Sequence, residues 1–225
     1  MAGKNIFIVH AHPEPRSLNG ALKDLAVRTL SEAGHHVEVS DLYAMGWKAA
    51  ADGADFPRRD PAERLHYGRA SRAAFDAGTQ AQEVRAEQDK LRRADAVILQ
   101  FPLWWFSVPA ILKGWVDRVF AMGRAYGHGQ VYADGRFRGK RAMVSVTTGG
   151  PSEAYAPDGF NGAIEGILRP IQRGIFQFVG FQVLAPHVLY GPARVEPAVR
   201  AQWLGDWQRR LRDIAREAPV EVGTY

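Results

Sequence analysis

The sequence predicts an α/β fold: a doubly wound, five-stranded parallel sheet with helices on both faces. Three observations carry that prediction. Short apolar runs such as Ile6-Phe7-Ile8-Val9 are continuous rather than alternating, the pattern of strands buried on both faces. Between the runs, apolar residues recur at every third or fourth position, as on the buried side of a helix. The two patterns take turns along the chain, and strands that alternate with helices form parallel sheets through right-handed crossovers.

The first strand, residues 6–9, leads into a loop that ends at Ser17. Ser17 is a candidate N-cap, and Ala21, Leu22, Leu25, Ala26, Thr29, Leu30 and Ala33 mark a helix stopped by Gly34. Val37, Val39 and Leu42 suggest the second strand. The turn before the first helix lacks the glycines of a G-x-G-x-x-G dinucleotide loop. Residues 43–78 carry turn signals at Asp52-Gly53, Phe56-Pro57 and Asp60-Pro61, and are predicted to be a long functional loop or lid. A helical pattern resumes near Gln80 and lasts to Arg93.

The third strand, residues 95–101, breaks at Pro102. Leu103, Trp104, Trp105 and Phe106 follow, and Pro109 opens a helix through Ile111, Leu112, Trp115, Val116, Val119 and Phe120. Residues 142–146 are the fourth strand, closed by Thr147, Thr148, Gly149, Gly150 and Pro151. Residues 162–178 are predicted helical and divided at Pro170. Residues 181–189 are predicted to form the fifth strand. From Pro197 onward, Val199, Trp203, Leu204, Trp207, Leu211 and Ile214 mark a closing amphipathic helix. No repeat or linker divides the chain, so residues 1–225 are expected to be one domain with an excursion at 43–78. The expected strand order is the flavodoxin-like 2-1-3-4-5, whose ligand crevice lies beyond the carboxyl ends of the first and third strands.

Apolar residues make up 46% and charged residues 24%, a balance that suits a globular protein with a sizeable core. Cysteine is absent, which excludes disulfides and thiolate metal sites, and no other metal-ligand cluster stands out. No apolar run nears the roughly 20 residues of a membrane span. The start of the chain lacks a signal-peptide pattern, so the expected location is the cytoplasm. The net charge of +5 comes mostly from arginine. It is not gathered into a basic cluster interleaved with aromatics, so nucleic acid is not an expected partner.

The predicted topology brings three loops together. The first offers His12, Ser17, Asn19 and a helix N-terminus, whose roughly +0.5 charge suits a phosphate. The second offers Trp104, Trp105 and Phe106 as an aromatic wall. The third offers two threonine hydroxyls and two glycines, where a backbone can approach a ligand closely. A flavin needs such a wall, N–H donors for its pyrimidine edge and a seat for its phosphates.

The run from Phe101 through Trp104, Trp105, Phe106, Ser107 and Pro109 to Trp115 closely resembles the NAD(P)H:quinone oxidoreductase (DT-diaphorase) family. So do the stretches Ser40 to Met45, Thr147 to Gly150 and Gly180 to Leu184, and the resemblance spans nearly the whole chain. Relative to longer animal members, the chain resembles a shorter bacterial form. The resemblance implies a flavodoxin-like homodimer with FAD, rather than FMN, at intersubunit sites. It implies a ping-pong cycle in which NAD(P)H passes hydride to flavin N5 and a quinone then removes it.

By that resemblance His12, Ser17, Leu18 and Asn19 match phosphate and ribityl contacts. Pro102, Leu103, Trp104, Trp105 and Phe106 match the isoalloxazine loop. Thr147, Thr148, Gly149, Gly150 and Tyr155 match the pyrimidine-edge loop, and Arg200 a contact to the adenine half. Tyr126, His128 and Phe178 match residues that roof the substrate pocket from the other subunit. Tyr155 and Asn161 stand at the catalytic positions. Three residues depart from the family pattern. His128 replaces a tyrosine, and His66 replaces a glutamine near the FAD. Asn161 replaces a histidine, and it can donate a hydrogen bond but cannot take up a proton. Two other readings are an azo- or nitro-compound reductase with the same cycle, and a flavin-binding regulatory subunit of a membrane transporter.

Overall fold

The computed structural model describes residues 3–224. Four central strands form as expected: β1 (Asn5–His10), β2 (His36–Asp41), β3 (Ala96–Pro102) and β4 (Arg141–Thr148). All are parallel, in the order β2-β1-β3-β4. Every residue of β3 is buried, as its unbroken apolar run requires.

The predicted fifth strand forms as two short pieces. β5 (Gln182–Val183) pairs with the start of β4, and β6 (His187–Tyr190) pairs with its end. Pro186 stands between them with no N–H for the ladder. The order 2-1-3-4-5 is therefore kept, and a sixth strand is added on the same side of β4.

Helices cover both faces. On one lie α1 (Leu18–Glu32) and α6 (Pro197–Asp213), packed over Ile6, Ile8, Ile98, Met143 and Leu189. On the other, α3 (Gln82–Arg93), α4 (Ala110–Val119) and α5 (Ile164–Ile171) supply Val84, Leu91, Leu112, Trp115 and Leu168 against Phe7, Val9, Leu99 and Phe101. Ser17 caps α1 as predicted, its hydroxyl accepting from the Gly20 N–H at 3.1 Å.

Two further expectations are corrected. Pro170 does not divide the 162–178 helix. It lies inside α5, and residues 172–176 continue as a wider π-helical turn. Proline removes one rung of the i→i−4 ladder, and the wider turn accommodates the change without a break. Residues 43–78 are not a plain loop. They contain a 3₁₀ turn at Gly53–Asp55 and a helix, α2 (Tyr67–Ala77). That excursion is pinned from below by Arg118 of α4, which is 1% exposed and bonded to Asp55. Among the described residues, no helix is long and apolar enough to cross a membrane, and no acidic, histidine or cysteine cluster could hold a metal.

Candidate active site

The three strand-end loops meet at the carboxyl end of the sheet. Leu103 N–H donates to the Thr147 carbonyl at 2.8 Å, joining the loop after β3 to the end of β4. The Asn19 side-chain amide donates to the Thr147 hydroxyl at 2.8 Å, joining the first turn of α1 to the same residue. Thr147 is thus shared by all three segments. The Thr148 hydroxyl donates to the Gly150 carbonyl at 2.8 Å and shapes the following turn.

The aromatic loop is held open by its backbone. Trp104 and Ser107 exchange both main-chain hydrogen bonds, at 3.1 and 3.0 Å, closing a two-residue turn. Its central residues, Trp105 and Phe106, both have positive φ, 50° and 56°. That is the sign pattern of a type I′ turn, which ordinarily takes Asn and Gly. A bulky L-residue there costs about 1 kcal/mol or more. The strained turn presents Trp105, 95% exposed, and Phe106, 51% exposed, beside Trp104. Three large aromatics in solvent are unfavourable unless something flat covers them.

Opposite the wall, α1 offers its helix end. Among the described residues, the Leu18 and Asn19 N–H groups find no acceptor, so they remain available to an anion. His12 is held beside this turn by the main chain of Glu14, at 3.0 Å. Gly20 permits the approach of the 13–17 loop, because a Cβ there would strike the Pro15 carbonyl. At Gly149 a Cβ would meet open space, so this backbone faces the cleft bare.

Tyr155 is buried behind Gly150, its ring 5.8 Å from that of Tyr190. Burial first, and Glu165 second, push the Tyr190 phenol upward, so it stays protonated near neutral pH. Asn161 closes the loop through its N–H to the Ala154 carbonyl at 2.8 Å, which leaves its side chain free. Arg200 is tethered to the Pro192 and Val195 carbonyls, at 3.2 and 2.5 Å. Those residues follow β6, and Gly191 N–H reaches the Thr148 carbonyl at 3.1 Å, so Arg200 belongs to the same end of the sheet.

Four predicted residues lie elsewhere. Tyr126 and His128 follow α4, which runs back from the strand tips, and Phe178 precedes the start of β5. Tyr126 and Phe178 pack together at 5.9 Å, and Tyr132 meets Phe178 edge-on at 5.6 Å. Gly135 and Gly180 lie back to back beneath this cluster, and a Cβ on either would collide with the other's backbone. The cluster therefore sits at the amino end of the strands, away from the strand-tip cleft. His66 precedes α2 and lines a cavity of about 640 Å³ in the excursion, with Arg58, Arg64 and Arg69. Its neighbours there belong to the excursion, not to the strand-tip loops.

Sequence reading missed two residues just behind the site, His10 and Gln100. Both are fully buried. Burial first, with Lys23 and His12 adding to it, drives the His10 imidazole down to about 4 against the pull of Asp41, so it is neutral at pH 7. The available signal was polarity: each is a lone polar side chain at the end of an apolar run.

This arrangement is that of a flavodoxin-like protein, and the chain belongs to the flavodoxin-like fold family, whose model matches residues 4–211. It is 44% identical over 221 residues to the human ribosyldihydronicotinamide dehydrogenase [quinone], covering 98% of this chain and 96% of that one. It is 42% identical to NAD(P)H dehydrogenase [quinone] 1 of Rattus norvegicus, covering 98% of this chain and 81% of that one. A solved structure from Klebsiella pneumoniae, assigned as a quinone reductase, superposes with a TM-score of 0.93 at 47% identity. It covers 97% of this chain and 87% of that one. With such relatives the chain is an oxidoreductase enzyme.

Proposed function

We propose that this enzyme is an FAD-dependent NAD(P)H:quinone oxidoreductase working as a homodimer. The observation that supports it best is the joining of three strand-end segments at Thr147 beside the exposed Trp105 wall. Leu103, Trp104, Trp105 and Phe106 would flank the flavin ring, while Thr148, Gly149 and Gly150 would face its pyrimidine edge. The Leu18 and Asn19 N–H groups, with Ser17 and His12, would seat phosphate. Arg200 would reach the adenine half, which is the feature that favours FAD over FMN. When bound, the flavin would supply two-electron chemistry, taking hydride at N5 from the donor and yielding it to the quinone in ping-pong order.

The protein's part is orientation and charge stabilisation. Tyr155 stands ready to donate a hydrogen bond to negative charge developing on the pyrimidine side, where such donors are worth about 3 kcal/mol. Asn161 adds a second donor without taking a proton. Tyr126, His128 and Phe178 would cover the cleft of the other protomer, since Tyr126 and Phe178 pack at the amino end of the strands in their own. A cytoplasmic location belongs to the same proposal and is checked by fractionation.

The donor has a second reading, favoured by the relatives named as ribosyldihydronicotinamide dehydrogenases. The test is to supply purified protein and FAD with menadione and each of NADH, NADPH and ribosyldihydronicotinamide, following donor absorbance. Turnover with at least one donor supports quinone reduction, and the ratio of rates assigns the donor. A protein that retains flavin yet turns over none of them would favour a regulatory role instead.

A further inference from the structure

Gln100 is the only polar side chain of β3, in the middle of a fully buried strand. Its register partners are His10 on β1 and Ser145 on β4, and the partner of Ser145 on β6 is His187. Register partners in a parallel sheet share a face, here the one covered by α1 and α6. A polar row, His10–Gln100–Ser145–His187, therefore crosses the sheet just short of its carboxyl end. One end of the row is internally satisfied. Ser145 and His187 hydrogen-bond at 3.0 Å, and the imidazole stacks on Trp207 at 4.2 Å.

The other end reaches upward. The Gln100 amide donates to the Asn19 main-chain carbonyl, and the Asn19 amide donates in turn to Thr147. So two side chains in series, Gln100 and Asn19, link β3, the first turn of α1 and the tip of β4. The carboxamide gains little for the fold itself. Gln100 Oε1, Asn19 Oδ1 and both His10 nitrogens are buried without partners. A leucine would fill the same space with no such desolvation cost.

We propose that Gln100 is a positioning residue: it fixes the first turn of α1 so that Asn19 locks onto Thr147, and thereby sets how tightly the cleft holds the phosphate of a flavin. The inference rests on the flavin reading above. It concerns the part of the site that FAD and FMN share, so its loss weakens both cofactors equally. On the same reading Arg200, tethered to the Pro192 and Val195 carbonyls beyond β6, would touch only the half that FMN lacks.

The test uses flavin-free full-length protein, titrated with FAD and with FMN by flavin fluorescence. Gln100→Leu is expected to raise both dissociation constants about tenfold, the equivalent of one hydrogen bond. The melting temperature of its flavin-free form should not fall. Arg200→Ala should weaken FAD alone. Gln100→Glu supplies a signature that simple packing would not. Its buried carboxyl is raised in pKa, donates to the Asn19 carbonyl while neutral and repels it once ionised. Flavin affinity of that variant should therefore fall as pH rises. The wild type corrects for the nearby His10, His12, Lys23, Asp24 and Asp41.

Wild-type affinity in Gln100→Leu overturns the inference. So does a parallel loss of melting temperature and affinity with no pH dependence in Gln100→Glu. Failure of the wild type to bind either flavin overturns the proposed function instead.

Discussion

Arg118 and Asp55, one on α4 and one in the excursion, are joined by two guanidinium hydrogen bonds to a single carboxylate oxygen, at 2.9 and 2.7 Å. The guanidinium also reaches Glu83 at 2.7 Å and lies 4.6 Å from the Trp47 ring centre. Tyr67 donates to the other Asp55 oxygen at 2.7 Å. Burial and that carboxylate push the Tyr67 phenol strongly upward, which keeps it a donor. This clasp turns a segment full of turn signals into an ordered part of the fold.

Arg118→Leu should cost about 3–5 kcal/mol, because Asp55 is then left buried and unpaired. Urea denaturation measures it. The double variant Asp55→Asn with Arg118→Leu should recover part of the loss, and a double variant as unstable as Arg118→Leu would show that packing on Trp47 dominates.

The strained turn separates stability from cofactor retention. Phe106→Asn should stabilise the flavin-free protein by about 1 kcal/mol, since asparagine tolerates positive φ. Trp105→Ala should leave that stability nearly unchanged and loosen FAD about tenfold. Thermal melts and fluorescence titration read the two effects. Unaltered FAD affinity in Trp105→Ala would remove the wall from the site.

Tyr155→Phe should slow flavin reduction by on the order of a hundredfold, with smaller change in flavin affinity, if its hydroxyl stabilises developing charge. Stopped-flow reduction under anaerobic conditions follows the step directly. An unchanged rate would leave Tyr155 only its packing against Gly150 and Tyr190.

Two buried imidazoles predict the acid limit. His10 is lowered to about 4 and His187 to about 3, both chiefly by burial, with Arg210 adding to the second. The unfolded chain takes up these protons near pH 6.5, before the folded one does. Stability is therefore full above about pH 6.5 and falls as pH drops toward 4 and below, by a few kcal/mol in order of magnitude. His187→Gln should flatten that fall, as measured by denaturation across pH.

The aromatic cluster at the amino end of the strands predicts a dependence on association. Phe178→Ala should raise the KM for quinone several-fold without changing flavin affinity. Diluting the enzyme below its dimer dissociation constant should reduce turnover. Full activity in a monomer, shown by sedimentation, would contradict the intersubunit roof.

How much was legible depended on the kind of signal. β1, β3 and β4 were readable because unbroken apolar runs admit few alternatives, and Ser17 and Gly34 bracket α1 by their chemistry. α2 was not readable: its buried face consists of Ser71 and Ala74, too small to print a hydrophobic period. The fifth strand was read as one because Phe181, Val183, Leu184 and Leu189 form an apolar stretch, while Pro186 acts on hydrogen bonding alone. The loops of the candidate site were placed correctly at the strand tips by topology. Residues 126, 128 and 178 needed the structure, since only chain direction shows that they occupy the far end. Gln100 was read simply as part of the third strand, and it acquires a role only through its partners.

The broken pair β5 and β6 has a consequence for association. An open sheet border normally exposes a row of backbone donors and acceptors on which a foreign strand can zip. Here the row is interrupted at Pro186, and the Val220 N–H bonds the Val183 carbonyl at 2.8 Å, so the tail already occupies the β5 part of the border. What is left for an added strand on this side is the four-residue β6 alone. In the homodimer proposed above, a second copy approaching from this side would therefore dock on helices and loops rather than add a strand.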